Sequence, residues 1–295
     1  MRFRARTAPL AVVLVAAAAL GASATASQPA APCGWGTRPP KTYKHVITIV
    51  LENHTYSQVA HDSPYLNSLA RRCGLASNYS AIRHPSLPNY LALTSGDTDG
   101  ITSDCTGCST SARSIFGQVG PRGWRAYEES LPSVGYTGGR SGRYAKKHNP
   151  AAYFTSVASA YGRNAVPLET TLPGDLKGNR LPRYSFVTPD LCNDEHDCDV
   201  STGDRWLEEW VPKILASPAY RDGATALFIT YDEGNHSDNR IYTVVVSPST
   251  RPGTVSNQKF DHYSLLKTEE ALLGLPCLAH ACDGETASLR SAFGL

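Results

Sequence analysis

The sequence predicts an α/β domain with a mainly parallel central sheet and helices on both faces. Three observations carry this expectation. The runs His45–Leu51 (HVITIVL), Tyr184–Thr188 (YSFVT), Thr225–Tyr231 (TALFITY) and 241–247 (IYTVVVS) are short and rich in β-branched and aromatic residues, as strands are. Several are apolar on both faces, the pattern of strands covered from two sides. Helical patterns alternate with them, the order of a sheet built by crossovers.

The elements follow in chain order. Arg2, Arg4 and Arg6 precede an apolar run over 8–20 and the small-residue site Ala24-Thr25-Ala26. This is the three-part pattern of a secretory signal peptide, expected over 1–26 and removed after Ala26. The run is shorter than the roughly 20 apolar residues of a membrane span. Residues 27–41, rich in Pro, Gly and Ala, read as a flexible lead-in. With no repeat or linker beyond them, 42–295 reads as one domain. After the first strand, 63–72 places Tyr65, Leu66 and Leu69 at helical spacing, with Ser63 as cap and Pro64 in the first turn. A second helix is expected over 86–94, with Pro88 in its first turn. Residues 96–111 read as a loop, 114–130 as one or two short helices, and 135–149 as an irregular Gly- and base-rich segment. Over 202–215, Trp206, Leu207, Trp210, Val211, Ile214 and Leu215 form one helical stripe. A helix over 262–273 closes the fold.

Composition excludes several classes. Hydrophobic residues at 41% and charged residues at 18% exclude a disordered chain. The whole chain carries 28 Lys+Arg against 26 Asp+Glu. Without 1–26 it is near neutral, so it lacks the cationic surface that nucleic-acid binding needs. No later segment is apolar and long enough for a stable membrane anchor, and the chain is expected outside the cell. Its eight cysteines, an even number, point to disulfides in that compartment. Cys105-Thr106-Gly107-Cys108 has no second C-x-x-C to complete a zinc site. Short loops would join Cys192 to Cys198 and Cys277 to Cys282, leaving Cys33 for Cys73, but spacing alone does not fix the pairing.

In a parallel sheet, ligands bind beyond the carboxyl ends of the strands. Glu52-Asn53 follows the first strand, Asp232-Glu233 follows TALFITY, and Asn193-Asp194-Glu195-His196-Asp197 lies just beyond YSFVT. Such oxygen-rich sets suit one divalent cation, Mg²⁺, Ca²⁺ or Mn²⁺, with Zn²⁺ where histidine joins. Ser86 sits at a helix start, where free N–H groups and the dipole favour an anion and an alkoxide. Asn89, one turn on, can donate to the same anion. Against this stands the ordinary role of Ser86 as a helix cap. No G-x-S-x-G, H-E-x-x-H, Walker or dinucleotide motif is present.

These residues resemble the bacterial phosphoesterase family of secreted acid phosphatases and phospholipases C, within the alkaline-phosphatase-like superfamily. The matching stretches are Glu52-Asn53, HPSLPNYLALTSG (84–96), KHNPAAYF (147–154), NDEHD (193–197), GDRWL (203–207), TYDEG (230–234) and DHYSLLKTEEALLGLP (261–276). The resemblance is strongest to compact, single-domain members. It implies that Ser86 attacks phosphorus and becomes a phosphoserine, with Asn89 at the phosphate. Glu52, Asn53, Asp232 and Glu233 would hold the metal. His148 would contact the phosphate or protonate the leaving oxygen, and His196, Asp197 and His262 would lie at the same pocket. His84 and Lys147 are weaker candidates. Relatives often carry two aspartates where Asp232-Glu233 stands, so one metal is expected rather than two. The implied activity is a phosphomonoesterase acting on phosphate-ester small molecules or phosphoinositide head groups. Its rivals are a phospholipase C or other phosphodiesterase, and a non-catalytic secreted binding protein on the same fold.

Overall fold

The computed structural model describes residues 1–4, 31–36, 38–235 and 238–295. The chain divides into Met1–Ala30 and Ala31–Leu295. Beyond its first four residues, the expected export signal lies outside the described residues.

Eleven strands are present among the described residues: β1 (His45–Leu51), β2 (Gly74–Ser80), β3 (Trp124–Glu128), β4 (Arg140–Ser141), β5 (Tyr144–Ala145), β6 (Ala165–Pro167), β7 (Tyr184–Thr188), β8 (Thr225–Tyr231), β9 (Arg240–Val246), β10 (Thr254–Ser256) and β11 (Phe260–Asp261). Nine form the central sheet in the order β10-β2-β9-β8-β1-β7-β3-β6, with β11 also on β2, while β4 and β5 make a separate hairpin. From β8 to β6 all neighbours run parallel. β9 runs antiparallel to both β8 and β2, so the sheet is mixed on that side. Val46, Ile47, Ile49, Val50 and Leu51 of the central strand are all buried. Burying each of these side chains contributes roughly 1.5–3 kcal/mol, which explains why this run was readable as a strand.

Seven of these strands were not readable, and β2 and β3 are the longest of them. β2 (GLASNYS) has no β-branched residue and is held by β9 and β10. β3 (WRAYE) falls where short helices were expected; only Ile115–Gln118 is helical there. Pairing with β6 and β7 makes β3 a strand, a case of tertiary context overriding local propensity. The 135–149 segment is also more ordered than expected. It contains the β4–β5 hairpin and a 3₁₀ turn over Lys146–His148.

The 64–72 helix forms as expected, but Ser63 does not cap it with its side chain. Asp204, from the Val200–Leu215 helix, accepts from Tyr65 N and Leu66 N, both at 2.9 Å. The lead-in is not free where it is described. Cys33 is disulfide-bonded to Cys73, Gly34 N and Gly36 N donate to Pro248 O at 3.0 and 2.8 Å, and Tyr220 OH donates to Pro32 O at 2.5 Å. The other bridges are Cys105–Cys108, Cys192–Cys198 and Cys277–Cys282. Among the described residues, no helix is long and apolar enough to cross a membrane.

Candidate active site

Strand register builds the site. Leu51 of β1 pairs with Tyr231 of β8, and Asp232 N donates to Leu51 O at 2.9 Å. The next residues, Glu52 and Asp232, therefore leave adjacent parallel strands side by side. Asn53 then adopts a left-handed backbone, φ 54°, which asparagine tolerates better than most residues. Its N–H donates to Asp232 Oδ1 at 3.1 Å. Beyond β7, Asp194 O accepts from Glu52 N at 2.8 Å, which joins the NDEHD loop to the same strand ends.

The Ser86–Ser95 helix supplies the hydroxyl. All its residues are buried. Ser86, Asn89 and Tyr90 share one face, three and four residues apart. Ser86 Oγ donates to Glu52 Oε2 at 3.0 Å, and Tyr90 OH donates to Glu52 Oε1. His148 Nε2 lies 3.2 Å from the same Glu52 Oε2, and its Nδ1–H donates to Asp194 Oδ2 at 2.9 Å. The Tyr90 ring stacks on His148, with centroids 5.4 Å apart. A serine hydroxyl and an imidazole thus meet on one buried carboxylate oxygen.

Charge is unevenly balanced here. Burial alone would neutralise His148, but Glu52 and Asp194 outweigh it and hold the imidazolium above its ordinary range. Burial likewise opposes charge on Glu52, and His148 and Lys147 more than compensate, holding its pKa low. Asp232 and Glu233 find no such compensation. Burial and then Glu52 push Asp232 well up, and the same causes take Glu233 to about 8. This excess of acid is what a cation would relieve.

The expected metal residues divide. Asn53 Oδ1 and Asp232 Oδ2 are buried and have no hydrogen-bond partner, beside Glu52. Oxygen donors left unpaired in this way fit a hard cation. Glu233 instead points toward the rim, with Oε2 3.0 Å from His84 Nδ1 and 3.3 Å from Asn89 Nδ2. Among the described residues, Glu52, His148 and His196 also form a group whose ligand atoms lie within 4.8 Å of one another. The two candidate sets share Glu52.

The remaining expected residues occupy varied places. Asn89 Oδ1 accepts from Ile82 N and Arg83 N, and its Nδ2 donates to Arg83 O and Pro85 O. It stitches the segment leading into Ser86. His196 Nδ1–H donates to Asp197 Oδ1 at 2.8 Å, and Lys147 Nζ donates to His196 Nε2 at 3.2 Å. Asp197 is on the outer side, where it also accepts from Arg140. His262 is fully buried behind the site. Its Nε2–H donates to Asp232 O at 2.6 Å and its Nδ1 accepts from Tyr79 OH at 3.2 Å, so both ring nitrogens are committed. Burial lowers its pKa to about 4. It braces Asp232. The sequence marks Asp194 only as one acid among several and Tyr90 only as a packing residue. The first stood inside the NDEHD stretch, and the second was one helical turn beyond Ser86.

Two clefts of about 510 and 440 Å³ lie away from Ser86. The site is reached instead at a rim where His84, Lys147 and His196 are partly exposed.

Known proteins resemble this chain in sequence and in fold. The Phosphoesterase family matches residues 56–276. A phosphatidylinositol-3-phosphatase from Mycobacterium tuberculosis is 34% identical over 93% of this chain and 91% of its own. A phosphate-repressible acid phosphatase from Penicillium chrysogenum is 33% identical over 80% of this chain but 60% of its own length. Phospholipase C A from Mycobacterium tuberculosis is 25% identical over 58% of this chain and 43% of its own. A solved alkaline-phosphatase-superfamily protein from Vibrio parahaemolyticus superposes with a TM-score of 0.59 at 11% identity, covering 84% of this chain and 72% of that one, which establishes the fold. On the match across residues 56–276 and the 34% identity along nearly its whole length, this chain belongs to the Phosphoesterase family of phosphoric ester hydrolases.

Proposed function

We propose that this protein is an exported phosphomonoesterase in which Ser86 attacks the ester phosphorus and carries the phosphoryl group until water releases it. The observation that carries this reading is the meeting of Ser86 Oγ and His148 Nε2 on Glu52 Oε2, at 3.0 and 3.2 Å, at the start of a buried helix. In this reading Glu52 takes the proton of the attacking hydroxyl, and His148, kept protonated by Glu52 and Asp194, gives its proton to the leaving oxygen as the ester P–O bond breaks. Asp194 holds the imidazole by Nδ1. Glu52, Asn53 and Asp232 would hold a divalent cation, with Glu233 or His196 at its edge. When bound, that ion supplies Lewis-acid stabilisation of charge on the phosphoryl oxygens.

The long match to a phosphatidylinositol-3-phosphatase supports a monoester and brings phosphoinositide head groups into the substrate range. The phospholipase C match is shorter on both chains. Four disulfides support an oxidising, extracellular compartment.

The test is hydrolysis of p-nitrophenyl phosphate by the purified chain. Ser86→Ala is expected to lose at least about 100-fold in kcat, and exhaustive chelation is expected to lower activity. Full activity in Ser86→Ala refutes the assignment. Faster turnover of bis-p-nitrophenyl phosphate makes the protein a diesterase.

A further inference from the structure

Asp104 stands in the loop after the Ser86–Ser95 helix, next to the Cys105–Cys108 bridge. Its two carboxylate oxygens reach two different donors beside Ser86. Oδ1 accepts from Leu87 N at 2.9 Å, and Oδ2 accepts from Lys147 Nζ at 2.9 Å. Lys147 Nζ in turn donates to His196 Nε2 at 3.2 Å. The loop is latched beyond Asp104 by Lys146 Nζ donating to Thr106 O at 2.8 Å.

The first turn of this helix has no cap of its own. Its N-cap position is Pro85, which makes no side-chain cap bond, and the Ser86 hydroxyl is turned to Glu52. A backbone N–H at a helix start and a lysine ammonium are the groups that hold a phosphate oxygen. Here a carboxylate is on both. Asp104 differs from Glu52, Asp194 and Asp232 in one respect. Its side chain is 28% exposed, whereas that of Glu52 is fully buried. It can therefore swing into water when displaced.

We propose that Asp104 acts as a built-in anion that occupies the Leu87 N–H and the Lys147 ammonium in the resting enzyme, and that the incoming phosphate group must displace it. This rests on the reading of Ser86 as the nucleophile. Asp104 is then a specificity-determining residue. It weakens the hold on free phosphate, and so eases product release, because only molecules with the carboxylate displaced bind the anion. It also repels dianions until it leaves.

The test is calorimetric titration of the full chain with inorganic phosphate, so the readout does not depend on turnover. Asp104→Asn keeps an oxygen acceptor for Leu87 N but removes the charge. It is expected to tighten phosphate binding about 3- to 10-fold, as removal of a competing state does. Phosphate affinity that is unchanged or weaker in Asp104→Asn reduces Asp104 to a helix cap and overturns the proposal, as does the lack of measurable phosphate binding in either protein. A crystal structure of the wild type with vanadate reads the same point without a substitution. The Asp104 Oδ1 contact to Leu87 N is expected to be broken, and its persistence with the anion bound overturns the proposal. If Ser86→Ala kept full activity, the nucleophile reading would fall by its own test. The titration and the vanadate structure would still report on Asp104.

Discussion

Asp194 shows how one side chain can organise a site without touching the reacting group. It is fully buried and holds His148 Nδ1 with one oxygen and His196 N with the other. Burial, opposed by His148, raises its pKa to about 6. Asp194→Asn keeps an acceptor but removes one of the two charges, with that of Glu52, that keep His148 protonated. The expected result is a fall in kcat of about 10- to 100-fold with little change in KM. A structural role alone would lower thermal stability and leave kcat per folded molecule unchanged, so steady-state kinetics beside a melting curve decide it. Glu52 and Asp232 were legible in the sequence because each follows a strand, and Ser86 because it opens a helix, whereas His148, in a segment read as irregular, came only with a matching stretch. Asp194 stood out only as one acid of the NDEHD stretch, because the imidazole it holds lies 46 residues away in the chain. His262 was read as a site residue because it sits in a matching stretch. Only its two committed nitrogens show that it braces a backbone carbonyl.

At the scale of elements, two helices borrow their caps from afar. The Ser86–Ser95 helix takes Asp104 and the Pro64–Arg72 helix takes Asp204, each through backbone N–H groups at its start. Ser63 is well placed in sequence to cap the latter, yet its hydroxyl makes no hydrogen bond. Asp204→Ala leaves two buried-side donors unpaired and is expected to cost about 1–2 kcal/mol, measured as a shift in the urea midpoint. Ser63→Ala is expected to change it far less. The strands divide along similar lines. β1, β7 and β8 were legible from their own residues because they are buried on both faces. β2 and β3 take their form from their neighbours, and no local pattern marks them.

The whole molecule carries a further buried acidic pair in the closing helix, away from the strand ends. Glu269 and Glu270 are both about 1% exposed. Glu269 accepts from Thr48 Oγ1 of β1, while its Oε2 and both oxygens of Glu270 have no hydrogen-bond partner. Burial raises both pKa values to about 8. The folded chain therefore keeps protons that the unfolded chain releases near pH 4.5. Their contribution to stability is complete below about pH 4.5 and is lost as pH rises through about 8. Thermal melts between pH 4.5 and 8.5 are expected to show falling stability in the wild type. The fall should be shallower in Glu269→Gln, which carries no titrating proton; an equally steep fall would show that this acid is not responsible. Sequence alone determined the fold class, because two-sided apolar strands alternating with helices leave few other packings. It also determined the nucleophile candidate and the acids at the strand ends, because such residues recur at fixed places relative to local elements. Only the tertiary structure decided that Ser86 and His148 share one oxygen of Glu52, that Asn89 and His262 brace their neighbours, and that Asp104 covers the donors beside Ser86. Those relations join residues far apart in the chain. Parallel register and helix packing set their distances, and neither is written in any local stretch of sequence.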